Sequence, residues 1–339
     1  MKINKILVAA AMALGFVSCS SEGELTPAID TLKDTPLQIN ASVAGMKTRA
    51  GYDANSVPNQ FYLKIRQGLK EQKKYWYDVV MKLENGQWVA YNAENKTETV
   101  QLLRAGYNIT CDLYSTTFPG YELDESGNQI KSIELEVLAD QSLDASVKAS
   151  DHLYALNKDK NMEVKAIELK LEHQMSKLSL ELTLGSQYEE EQNPVKDMQI
   201  VGTKRKVKWS DGHSFVSDDA SAEPIIPYLA GYTKPTDDSP KAKVCYEVIL
   251  APQTVEAGNF GVEFNVLGKT YRWYSDAAVK LKEGTQYTLQ LTAGKDQAIQ
   301  DCAPGGRMLS LYRRAAPETA FLFGTGRLED IHAFRGLLP

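Results

Sequence analysis

Apolar and polar residues alternate with a period of two along most of this chain, the signature of half-buried β-strands. Phe61, Leu63 and Ile65 share one phase. Tyr75, Tyr77, Val79, Met81 and Leu83 share another and lead through Asn85-Gly86 to Trp88 and Ala90. Asn-Gly between two alternating runs predicts a hairpin. Further strands are predicted over Tyr107–Leu113, and around Ile133, Leu135 and Val137. Ile167, Leu169 and Leu171 alternate on odd positions, whereas Leu178, Leu180, Leu182 and Leu184 alternate on even ones. That change of phase between His173 and Lys177 requires a bulge or a tight bend. Val244 to Leu250 forms a strand ended by Pro252. Val262 to Val266 turns at Gly268 into Tyr271 and Trp273, and Tyr287 to Leu291 is the last clear strand. No run of helical length keeps a 3.6-residue period. The expected fold is all-β, built from short strands packed as β-sandwiches.

An earlier strand is predicted over residues 36–45, in which Leu37, Ile39, Ala41 and Val43 alternate. It is followed at once by Lys47-Thr48-Arg49-Ala50, a basic step with the extended character a trypsin-like protease requires. Upstream, residues 1–18 have Lys2 and Lys5, an apolar run from Ile6 to Val17, and Ser18 directly before Cys19. The run is too short to span a bilayer and reads as an export signal. Cys19 stands where a bacterial lipobox places the acylated cysteine. A lipidated strand followed by an accessible Arg49–Ala50 bond reads as a segment to be discarded.

The chain has 339 residues and a net charge of −6. Basic and acidic residues are interspersed, which argues against a nucleic-acid partner. With Cys19 acylated, three thiols remain, an odd number that excludes a fully paired disulfide framework. Cys111 is in phase with Leu113 and reads as a small core residue. The four histidines are far apart without metal-ligand spacing, and His173 reads as structural. No nucleophile, metal or phosphate-binding motif is present, so no cofactor, metal or catalytic residue is assigned. Trp76, Tyr77, Trp88, Trp273 and Tyr274 could stack on a sugar, but strand parity assigns most such aromatics to the core.

The expected divisions are a signal peptide at 1–18, a lipidated tether and strand at 19–49, and β domains at 50–159 and 160–300. The boundary is set at the polar stretch 155–161, and residues 224–240 are read as a Pro-rich loop. The last 39 residues are unlike the rest: they hold five of the ten arginines and no lysine. They read as an atypical tail, either a basic segment with its own partner or, the favoured alternative, the product of a shifted reading frame.

Several segments resemble the fimbrillins of the Bacteroidales, the subunits of type V pili. They are the lipobox ending at Cys19, PLQINASVAGMKTRA at 36–50, LKLEHQMSKLSLEL at 169–182, VILAPQTV at 248–255 and LKEGTQYTLQL at 281–291. The resemblance implies two transthyretin-like β-sandwich domains in series. It also implies a precursor carried to the outer membrane as a lipoprotein and cut after Arg49 by an Arg-specific or trypsin-like protease. Removal of the first strand would open a groove for a donor strand from another fimbrial subunit, giving a cell-surface fimbrium that supports adhesion. The alternative is an uncleaved surface lipoprotein, acting as a pilus anchor or a glycan-binding module.

Overall fold

The computed structural model describes residues 31–45, 50–68, 70–107, 109–161, 166–188 and 192–294, with residues 320–321 and 329–330. Residues 1–30, which include the expected signal segment and Cys19, the step at 46–49 with Arg49, and the remainder of the tail lie outside the described residues.

The first sheet gathers β1 (Gln38–Val43), β2 (Gln60–Gln67), β3 (Tyr77–Glu84), β4 (Gln87–Asn92), β5 (Thr110–Thr116), β7 (Leu153–Asn161) and β8 (Ala166–His173) in the order β1-β8-β7-β5-β2-β3-β4. Its neighbours are antiparallel except β1, which runs parallel to β8. One face is apolar: Phe61, Leu63, Ile65, Val79, Met81, Leu113, Leu169 and Leu171 form a closed cluster under it. The β3–β4 hairpin turns at Asn85 and Gly86, with φ of 49° and 78°. Two positive φ values are what a type I′ turn demands, and Asn-Gly is the pair that tolerates them.

The second core lies among smaller sheets. β9 (Ser176–Leu184) sits between β14 (Lys243–Leu250), which is antiparallel to it, and β19 (Gln286–Ala293), which is parallel; β13 (Tyr228–Thr233) lies beyond β14. Facing them are β10 (Val195–Val201), β16 (Gly261–Val266) and β17 (Lys269–Tyr274). A third sheet joins β6 (Ile133–Glu136), β11 (Lys206–Ser210) and β12 (His213–Val216), and β15 (Gln253–Val255) pairs with β18 (Val279–Leu281). Leu178, Leu180, Leu182, Val244, Val248, Phe264, Tyr271, Leu289 and Leu291 fill this core. Among the described residues, helix is confined to α1 (Asp144–Ser150) and a 3₁₀ turn at Lys70–Tyr75. Beyond residue 294 the described residues are two short strands, Ala320–Phe321 beside β17 and Glu329–Asp330 beside β19.

The all-β expectation holds, with differences in detail. β7 and β8 both pair into the first sheet, so that sheet runs to His173, past residue 159. The chain crosses to the second core at Gln174-Met175, where the strand phase slips, and β6 leaves the first half to join the second core's sheets. The strand predicted from Tyr107 starts at Thr110; Tyr107 is exposed and follows Gly106, whose φ is 150°. The stretch read as a loop at 224–240 contains β13, an edge strand whose bulge between Leu229 and Gly231 breaks the alternation. Cys111 is buried in the first core, as parity indicated.

Candidate functional site

β1 occupies the edge of the first sheet. Its register with β8 runs from Gln38 opposite Ala166 to Val43 opposite Leu171. The Ala44 amide extends the ladder to the Leu171 carbonyl at 2.8 Å. On the other side, the Leu37 amide donates to Leu102 O and the Arg104 amide to Thr35 O. Leu37, Ile39 and Val43 are 4–5 % exposed and join the first core, and Ala41 packs against it half-buried. The outward face is polar: Asn40 Nδ2 donates to Glu168 Oε1 at 2.7 Å. Burying three aliphatic side chains contributes about 5–9 kcal/mol, comparable to the whole stability of an ordinary domain.

The two ends of the step that follows β1 meet one buried polar cluster at the junction of the cores. On the upstream end, His173 Nε2 lies 3.1 Å from Ala44 O while its Nδ1 lies 2.7 Å from Asp151 Oδ1. Both ring nitrogens face oxygen acceptors. On the downstream end, three successive backbone amides donate to three carboxylates. Ala50 N reaches Glu247 Oε2 at 2.9 Å, Gly51 N reaches Asp144 Oδ1 at 3.3 Å, and Tyr52 N reaches Asp151 Oδ2 at 3.1 Å. Gly51 has φ of 93°, a conformation that strains any L side chain and here lets the amides fan out to separate acceptors.

Each carboxylate is positioned by its element. Asp144 opens α1 and Asp151 follows its last residue. The segment before α1 is clamped to β14 by Gln141, which donates to Ile249 O and accepts from Ile249 N, both at 2.9 Å. Glu247 lies on β14 and Lys177 on β9, diagonal neighbours on the sheet face opposite the Leu-rich core. Residues 50–52 and α1 cover that face, which explains the continuous burial from Tyr246 to Leu250. Lys177 Nζ is 2.9 Å from Glu247 Oε2 and 3.2 Å from Ala50 O. Burial pushes the Lys177 ammonium below its ordinary range, against the pull of Glu247. Burial also raises the Tyr52 hydroxyl, with Asp151 and Asp144 adding to the effect.

Of the residues singled out from sequence, Leu37, Ile39, Ala41 and Val43 are brought together on one face of β1, and Ala50 sits at the junction. Ala50 was expected on an exposed step; it is 2 % exposed. Cys19 and Arg49 lie outside the described residues. His173 is the buried structural histidine expected. Lys177, Glu247, Asp144 and Asp151 were missed. The aromatics do not form one platform. Trp88 packs on Phe61, Trp273 on Phe260, and Trp76 lies under Arg66 and Lys73. Among the described residues no three His, Cys, Asp or Glu side chains are grouped to hold a metal ion, and no helix is long and apolar enough to cross a membrane.

Comparison with known proteins adds a family and a fold. The sequence profile of the fimbrillin-like family matches residues 114–303. No curated protein matches the chain. A proposed cell adhesion protein from Bacteroides ovatus superposes with a TM-score of 0.53 at 14 % identity, covering 76 % of this chain and 92 % of its own. Another from Bacteroides uniformis gives 0.46 at 14 %, covering 77 % and 93 %. The tip fimbrial protein Mfa3 of Porphyromonas gingivalis gives 0.39 at 10 %, covering 78 % and 96 %.

Proposed function

The chain belongs to the fimbrillin-like family, and from that membership we propose that it is a structural subunit of a cell-surface fimbrium, supporting adhesion rather than catalysis. In this reading the lipidated precursor, anchored through Cys19 in the outer membrane, is cut after Arg49 by an Arg-specific or trypsin-like protease. β1 then leaves, and a strand from another fimbrial subunit takes its place.

The observation that carries the proposal is the position of β1. It is an edge strand whose side chains complete a core made by residues far from it in sequence. Without it, β8 presents a row of unpaired backbone groups beside an apolar slot, a template for strand addition. The alternating positions Leu37, Ile39, Ala41 and Val43 set the register a replacement must match. The test is the N-terminus of the protein isolated from cells. Ala50 as first residue supports the proposal, and an acylated Cys19 on all of it overturns maturation.

A second reading, an uncleaved lipoprotein acting as pilus anchor or glycan-binding module, is favoured by one observation: Ala50 is buried and hydrogen-bonded. A protease reaches the bond before Ala50 only when this corner is lifted from Glu247. Limited proteolysis separates the two. The proposal expects cutting after Arg49 at trypsin doses that leave the two cores intact, followed by multimers.

A further inference from the structure

We propose that Glu247 is the receptor for the α-ammonium group that cleavage after Arg49 creates at Ala50. The inference rests on the maturation reading above and assigns the new chain end a fixed, buried partner.

In the uncut chain the Ala50 nitrogen already lies 2.9 Å from Glu247 Oε2. Both residues are sequestered, Ala50 at 2 % and Glu247 at 7 % exposure. Hydrolysis adds one water across the Arg49–Ala50 peptide bond. Oxygen goes to the Arg49 carbonyl carbon, which becomes a carboxylate, and the Ala50 nitrogen gains the protons and becomes an ammonium. A neutral N–H facing a carboxylate thereby becomes a cation facing it, with no movement of either atom required. A charge-assisted bond replaces a neutral donor.

The new charge enters a cluster of carboxylates. Glu247 Oε2 also faces Lys177 Nζ at 2.9 Å. Asp144 accepts from Gly51 and pairs with Lys148 at 2.8 Å. Asp151 accepts from Tyr52 and pairs with His173. Asp151 and Asp53 both act on Lys177 as attractive charges. Three carboxylates thus hold three consecutive residues at the head of the matured chain. The new end is pinned to β14 and α1 of the second core, while the departing side is tied through Ala44 O to His173, which shares Asp151 with Tyr52. Cutting leaves Glu247 and Asp144 with the new end alone. Pinning Ala50 keeps the residues after it from folding back into the slot that β1 vacates, so the slot stays open to another strand.

The experiment uses the full chain with residues 46–49 rewritten to a factor Xa site by Met46→Ile, Lys47→Glu and Thr48→Gly. It is cut in enough urea to open the corner, returned to native buffer, and checked by N-terminal sequencing for Ala50. The rate at which an amine-reactive reagent modifies the Ala50 α-amine at pH 7 is compared with that of a free peptide of sequence Ala50–Ser56. The expected rate is at least about 10-fold slower in the protein, because an exposed α-amine titrates at about 7.7–8.0 and a buried ion pair holds it protonated and covered. Glu247→Gln is expected to restore the peptide's rate. An unprotected α-amine, or protection that survives Glu247→Gln, overturns the inference.

Because Glu247→Gln leaves Lys177 buried without its carboxylate, Lys177→Met is made in parallel. In that variant cutting supplies Glu247 with a replacement cation, and the Ala50 α-amine is expected to keep its protection of at least about 10-fold over the free peptide. Reaction at the peptide's rate overturns the receptor assignment. If the unaltered chain resists cutting after Arg49 while the rewritten one is cut, the maturation reading fails. The receptor assignment is then judged on the rewritten chain.

Discussion

Each core contains a parallel strand pair of six residues or more, and these two pairs are built differently. In the second core, β19 runs parallel to β9 over eight residues from Gln286 to Ala293, and β9 is flanked on its other side by β14. β19 follows β18 after four residues, so its chain neighbours belong to the same core. In the first core, β1 runs parallel to β8 over six residues at the sheet's edge. Past Gly45 the next described residues, Ala50 to Tyr52, hydrogen-bond to Glu247, Asp144 and Asp151 of the other half. β1 is held to its core by side chains, a ladder and its immediate flanks at Thr35, Leu37 and Ala44, while the chain that follows belongs to the other half. In the proposed maturation it is the strand held that way that exchanges, while β19 stays with its core.

The largest test of this contrast removes the side chains that hold β1. Leu37→Ser, Ile39→Asn and Val43→Ser together are expected to destabilise the first core by about 5–9 kcal/mol, enough to open it. Hydrogen exchange should then lose protection over 60–116 and 153–173 while 133–150 and 176–293 stay protected. Cys111 supplies a second readout. Burial, followed by the nearby Asp112 charge, pushes its thiol up to about 12. At pH 8 only roughly one in 10⁴ is then the reactive thiolate. Opening the core returns it toward the ordinary range of about 8.5, and thiol labelling should accelerate by orders of magnitude, with Cys245 in β14 unchanged. Equal loss of protection in both cores would show that β1 supports the whole molecule, and the contrast would fail.

The mirror test is Leu289→Ala. Leu289 is fully buried in β19, and its truncation should cost about 2–5 kcal/mol. Here the protection lost should lie in 176–293, with Cys111 labelling as slow as before. Faster Cys111 labelling would mean that the two cores unfold as one unit.

How much of this was legible in the sequence depends on how many layers cover each strand. β2, β8, β9, β16 and β19 alternate cleanly because one face meets a core and the other meets solvent or polar groups. β7 was taken for a boundary because its second half is polar on both faces. The true crossing at Gln174-Met175 was visible only as a phase slip between Leu171 and Leu178, which a bulge within one sheet would also produce. Lys177 and Glu247 fall on the odd positions of β9 and β14, the side that alternation assigns to solvent. What buries them comes from Ala50, 127 and 197 residues away, and no local pattern carries that information. β1 was legible because its own four alternating residues were enough to mark its inner face.

Two single substitutions then ask which face of β1 holds it. Ile39 is buried against the first core, and Ile39→Ala should cost about 2–4 kcal/mol and, in cut protein, speed the release of the strand. A synthetic peptide of residues 36–45 added to cut and emptied protein should restore protection. The same peptide with Ile39 and Asn40 exchanged should not, since the exchange turns an amide without a partner into the apolar slot. Binding by both peptides would remove side-chain register from the account.

The smallest effect is expected on the opposite face. Asn40 donates to Glu168 Oε1 at 2.7 Å, but the bond is exposed, and water replaces either partner when the other is lost. A hydrogen bond in that setting contributes about 0.5–1 kcal/mol net, so Asn40→Ala should lower stability by no more than that and leave the strand-release rate within about threefold. Denaturant unfolding of Asn40→Ala beside Ile39→Ala measures the ratio of the two faces directly. If Asn40→Ala costs as much as Ile39→Ala, β1 is held by its polar edge rather than by its core-facing side chains. In the proposed maturation a replacement strand would then be selected by hydrogen bonding along the rim, and the apolar slot would cease to explain why this edge, and not that of β4 or β13, is proposed to open.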